Sequence, residues 1–166
     1  MGRKSSAEES LSELDVGVEV QVAPAFAEVV SADTLQRVAR EVLHLEGVPG
    51  HVTLVITDDQ GIRTLNRDYG GLDTPTDVLA FSAREDGGSF VVAPGAGDYL
   101  GDVIISYPRT IDQAQEQGHA VDHELCLLTI HGMLHLVGYD HQSERDKAVM
   151  WARQEALLAQ VATEWA

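Results

Sequence analysis

Leu125 to His141 reads L-C-L-L-T-I-H-G-M-L-H-L-V-G-Y-D-H, and the organisation of the chain follows from how this stretch folds. Leu125 to Val137 is apolar on nearly every side, which predicts a helix packed between other elements rather than lying on a surface. Four residues of helix turn through about 400°, so His131 and His135 project from one face about a turn apart, where two imidazoles can share a metal ion. Gly138 can take the positive φ that ends a helix, letting Tyr139 and Asp140 bring His141 back toward the same point. Three neutral imidazoles suit Zn²⁺, one per chain, and three protein ligands leave a fourth position for water, as in catalytic rather than closed structural zinc sites. Such an ion lowers its water's pKa toward about 7 and polarises a bound substrate oxygen. Asp140, beside a ligand, is placed to accept a hydrogen bond from a ligand imidazole. No side chain is assigned as general base.

The same H-x3-H-x5-H spacing is the ligand frame of metzincin proteases, where the residue after the first His is a Glu acting as general base. Here it is Gly132, which cannot take a proton from water. The expectation is a metal site of zincin type without the protease base, the glycine leaving room for a bulky substrate. Phosphodiester cleavage fits such a site better than peptide hydrolysis, because a metal can stabilise charge on the phosphoryl oxygens.

Outward from the histidines, V-G-V-E-V-Q-V at Val16 to Val22 alternates apolar and polar residues, the period of a half-buried strand that Pro24 ends. Ser31 is an N-cap for a helix carrying Leu35, Val38, Val42 and Leu45, with Gly47 as its stop. His51 to Thr57 is a second strand, and a short helix with Ile62, Leu65 and Tyr69 follows. Residues 70–77 are turn chemistry, V-L-A-F-S after them is a strand, and residues 86–98 read as a glycine-rich loop or hairpin. Val103 to Ser106 is a short strand leading to Pro108 at the start of a helix. Ser143 and Asp146 form a capping box for a last amphipathic helix through Val149, Trp151, Leu157 and Val161. Read this way, the chain carries about four strands and about five helices.

Composition sets the boundaries of function. The 166 residues suffice for one domain, expected over 16–166 after a disordered tail at 1–15 whose Ser, Glu, Gly and Lys cannot offset ordering entropy. The formal charge of −16 excludes general adhesion to nucleic acid or anionic membrane, so any polyanion must be held locally. The single cysteine, Cys126, makes no intramolecular disulfide and reads as a buried packing residue. No run of 18 apolar residues or secretory signal is present in the sequence, which points to a reducing cytoplasm and no membrane partner.

The zinc motif resembles that of the YbeY endoribonucleases, single-domain bacterial zinc proteins. The likeness extends to L-N-R-D-Y-G-G-L-D-T-P-T-D-V-L-A-F at Leu65 to Phe81, to G-D-V-I-I-S from Gly101 and to Q-A-Q-E-Q-G-H from Gln113, in family order across about residues 50–145. The resemblance implies an α+β fold, a small mixed sheet of about four strands packed with about five helices, with zinc held by His131, His135 and His141. It also implies metal-dependent cleavage of single-stranded RNA, and a role in ribosomal RNA maturation, including the 3′ end of the small-subunit RNA, and in ribosome quality control. Ribosomal RNA, the ribosome and ribosomal proteins are then the partners.

The family places an arginine after the tyrosine of L-N-x-x-Y, where this chain has Gly70. Arg67, about one helical turn earlier, and Arg63 are the substitutes expected to meet phosphate, with Arg84 and Arg109 in reserve. Two other classes compete with the nuclease: a metalloprotease using a distant carboxylate, and a ribosome-associated protein whose zinc is structural. His119 and His123, flanking Asp122 and Glu124, read as a polar helix entrance or a proton relay. Thr76 and Asp77 read as a turn that the resemblance would place along the cleft.

Overall fold

The computed structural model describes residues 14–65, 67, 77–83, 99–139 and 143–162. Among them are four strands, β1 (Val16–Val22), β2 (Gly50–Thr57), β3 (Val78–Ser82) and β4 (Tyr99–Ser106). The helices are α1 (Ala32–Glu46), α2 (Asp59–Leu65), α3 (Tyr107–Gln117), α4 (Val121–Leu136) and α5 (Glu144–Ala162), with a 3-10 turn at Pro24–Phe26. The sheet order is β1-β2-β4-β3, the first two pairings parallel and β3 antiparallel to β4. This is the mixed α+β architecture that the resemblance implies, with α1 as the crossover between parallel neighbours β1 and β2.

The local chemistry is as expected at most ends. Ser31 Oγ accepts the Thr34 N–H at 3.2 Å to cap α1, Ser106 caps α3 ahead of Pro108, and Ser143 Oγ accepts the Asp146 N–H at 3.0 Å to start α5. Leu14 packs on the core and the Asp15 carbonyl accepts the Gly50 N–H, while residues 1–13, most of the expected tail, lie outside the described residues. So do residues 70–76, most of the expected turn, and the loop at 86–98.

Two expectations change. β4 begins at Tyr99 rather than Val103, because Tyr99 pairs with His51 and Gly101 with Val52 across a bulge. α5 buries Leu157 and Val161 as read, but Val149 and Trp151 are each 53% exposed, and the stripe is completed instead by Met150 and Gln154. That stripe follows i, i+4, i+7, i+11, the helical period, with a glutamine inside it that an apolar count passes over.

α4 sits at the centre, against β3 and β4 on one side and α1, α3 and α5 around it. Ile130, Met133 and Leu134 are fully buried, and Thr129 folds its hydroxyl back onto the Leu125 carbonyl at 2.8 Å so that no polar group is stranded. Among the described residues no helix is long and apolar enough to cross a membrane.

Candidate active site

Because α4 is enclosed, the histidines on it can meet solvent only where the surrounding elements part. They do so at a cleft of about 580 Å³ bounded by β3 with Asp77, by the second half of α3, by α4, and by Trp151 and Gln154 of α5. His131 and His135 both line it, their ring centroids 4.8 Å apart and the planes at 77°. The i, i+4 spacing therefore does what the sequence predicts, setting two imidazoles side by side on one wall.

His131 is further constrained. Its Nδ1 lies 2.9 Å from Oε1 of Gln154, which is only 5% exposed. A carboxamide oxygen can only accept, so Nδ1 carries the proton and Nε2 is the nitrogen left for a metal. This is the partner a metal-binding histidine ordinarily has on its other ring nitrogen. The two described rings thus fit a zinc ion in donor type and proximity, and His131 fits it in tautomer.

The helix ends as expected: Gly138 has φ of 112°, its N–H reaches the His135 carbonyl at 3.2 Å, and the Tyr139 N–H reaches that of Leu134 at 3.0 Å. His141 and Asp140 lie outside the described residues. Among the described residues no group of three or more His, Cys, Asp and Glu is gathered for a metal.

Gly132 lines the cleft between the two histidines, as the sequence reading expects. A Cβ built on it would lie 2.5 Å from Cγ1 of Val103, so the glycine also lets α4 press onto β4.

The cleft also gathers residues whose position was not read from the sequence. His119 and Glu124 both line it, joined by a 2.5 Å contact between Nε2 and Oε2, and the His119 ring packs on His123 with centroids 4.5 Å apart. The Glu124 side chain is 4% exposed, so it is a buried carboxylate satisfied by an imidazole. The missed signal is a His one residue before an N-cap and a Glu in the first turn, separated by the length that folds one onto the other. Asp77 lines the cleft as the resemblance suggested, its Oδ2 accepting from Gln113 Nε2 at 2.6 Å and its Oδ1 from the Val78 N–H at 2.9 Å. Thr76 lies outside the described residues.

Arg63 and Arg67 are exposed, and neither is among the residues lining the cleft; no described lining residue is an arginine or lysine. Arg109 instead pairs with Asp59 at 3.3 Å, and Arg84 lies outside the described residues. Cys126 is a free, fully buried thiol, and burial pushes its pKa up to about 12, consistent with packing rather than nucleophilic chemistry.

The sequence and fold match those of known proteins over most of the chain. The family model described as Endoribonuclease YbeY matches residues 19–162. Proteins named Endoribonuclease YbeY from Roseiflexus sp. (strain RS-1) and Chloroflexus aggregans are similar at 44% identity over 151 residues and 48% over 132. These alignments cover 89% and 78% of this chain, and 94% and 86% of the relatives. The solution structure of TM1509 from Thermotoga maritima has the same fold at a TM-score of 0.62 and 25% identity, covering 89% of this chain and 91% of that one. With a family match running from β1 through α5 and relatives aligned over almost their whole length, the chain belongs to the YbeY endoribonuclease family.

Proposed function

We propose that this protein is a zinc-dependent endoribonuclease that cuts single-stranded ribosomal RNA in the cytoplasm. It would act in ribosomal RNA maturation, including the 3′ end of the small-subunit RNA, and in ribosome quality control, with the ribosome or ribosomal proteins delivering the substrate. The observation that carries the reading is the pair His131 and His135 on a cleft wall, with His131 Nδ1 held by buried Gln154. His131, His135 and, in the segment after Gly138, His141 would hold the ion, with Asp140 behind them. When bound, zinc supplies Lewis-acid polarisation of the scissile phosphodiester.

The remaining work falls to side chains. Gln154 orients the first imidazole. His119, held by Glu124 and opening on the same cleft, is a group equipped to move a proton there. Arg63 and Arg67 would meet phosphates beyond the cleft rather than within it. Gly132, turned to Val103, supplies no protease base, which disfavours the peptidase alternative.

The test incubates purified protein with end-labelled single-stranded RNA and with unfolded polypeptide, with and without chelator, alongside His131→Ala. Chelator-sensitive RNA cuts absent from the variant support the reading. Cuts only in polypeptide would replace it with a protease. Neither product, together with unfolding on metal removal, would replace it with a structural zinc site.

A further inference from the structure

Trp151 stands out on α5 because its neighbours on the buried stripe, Met150 and Gln154, are 1% and 5% exposed while it is 53% exposed. A large aromatic left half in water contributes little to the core. Its position is specific, however: it lies three residues before Gln154, on the same side of the helix, and lines the same cleft as His131 and His135. The cleft's described lining contains no lysine or arginine, it contains the carboxylates of Asp77 and Glu124, and the chain as a whole carries −16. Phosphate attraction is therefore a poor source of purchase at this lip. An aromatic face is a good one, because every base has a π-face that stacks irrespective of charge.

We propose that the Trp151 indole is a stacking platform for one unpaired base of the RNA, at the lip of the cleft that carries His131 and His135. The assignment rests on the endoribonuclease reading and deepens it. It also gives a physical source for single-strand preference, since the faces of paired bases are already covered by their neighbours in the duplex.

The experiment measures binding of a fluorescein-labelled oligoadenylate with chelator present, so that the strand stays intact. Trp151→Ala weakens binding about 5–150-fold, the range for losing one stacked base, and Trp151→Phe stays within a few-fold of the parent protein. The slope of affinity against salt is unchanged in Trp151→Ala, because no phosphate contact is removed, and weak duplex binding is unaffected. In Trp165→Phe protein, which keeps Trp151 as its sole tryptophan, oligoadenylate quenches the emission. Parental affinity in Trp151→Ala, absence of quenching, or equal losses for duplex and single strand would each overturn the assignment. Parental protein that cuts RNA while Trp151→Ala binds and cuts equally well sinks the platform alone, whereas parental protein that neither binds nor cuts RNA sinks both. Trp151→Phe and the quenching measurement decide the matter if the alanine variant fails to fold.

Discussion

Gly132 of α4 lies against Val103 of β4 so closely that a Cβ on the glycine would come within 2.5 Å of a valine methyl. The helix carrying His131 and His135 is therefore seated on the sheet by the absence of a side chain at Gly132. Gly132→Ala adds an atom where none fits, at about 1–3 kcal/mol, and regains about 1 kcal/mol of helix propensity. The expected outcome in urea unfolding is a net loss of up to about 2 kcal/mol. Adding Val103→Ala should give a double variant more stable than the two single losses predict, since the second change makes the space the first requires. A Gly132→Ala protein about 1 kcal/mol more stable than the parent, the full gain in helix propensity, would show that α4 can lift off the sheet at no cost.

The Gln154 amide selects which nitrogen of His131 faces a metal. Gln154→Leu should weaken zinc binding about 10–100-fold in competition with a chelating indicator, whereas Gln154→Glu, whose carboxylate accepts the same bond, should retain it. Nitrogen NMR of the metal-free protein should show His131 protonated on Nδ1. Equal zinc affinity in the leucine variant, or the opposite tautomer, would remove the assigned role.

Much of this arrangement was legible in the sequence because it is carried by local rules. The i, i+4 histidines, the Gly138 stop and the serine caps each depend on a few neighbouring residues, and each is in place. What escaped depends on partners distant in sequence. Gly132 lines the cleft, but its seat against Val103 depends on a residue 29 positions away, and Gln154 meets His131 across 23. The α5 face was misread for the same kind of reason. Leu157 and Val161 are inside as read, but Val149 and Trp151 look like core by type, and only the packing of α5 on α4 shows Met150 and Gln154 inside in their place. His119 and Glu124 are close in sequence, but that they open on the cleft depends on where β3 and α3 lie.

Alkaline pH should reveal the buried ionisable groups. Burial raises the Cys126 thiol from 9.0 to about 12, and burial followed by the hydrogen bond to Asp102 raises Tyr99 from 10.0 to about 12. Both folded values lie above the unfolded ones, so the native state binds the more protons at high pH. Their stabilisation is complete below about pH 9 and is lost from there toward pH 12. The urea midpoint should accordingly fall across this window, and Cys126→Ala should flatten the part of the fall that begins near pH 9. In parallel, a thiol reagent at pH 8 should label Cys126 only after unfolding. Rapid labelling of folded protein would contradict its burial.

His119 and Glu124 allow support to be separated from catalysis. Removing the imidazole in His119→Ala leaves a buried carboxylate without its donor, at a cost of about 1–3 kcal/mol, moderated by water entering from the cleft. His119→Gln can still donate to the carboxylate through its amide, so it should recover most of that stability. A carboxamide cannot carry a proton to or from a reacting group. If His119 moves a proton during RNA cleavage, His119→Gln should fold, bind zinc as the parent does, and cut about 10²–10⁴-fold more slowly at saturating RNA. The comparison is made at matched zinc content, so that a lost metal is not mistaken for a lost proton carrier. Parental turnover in the glutamine variant would reduce His119 to a prop for Glu124 and leave the proton to another group.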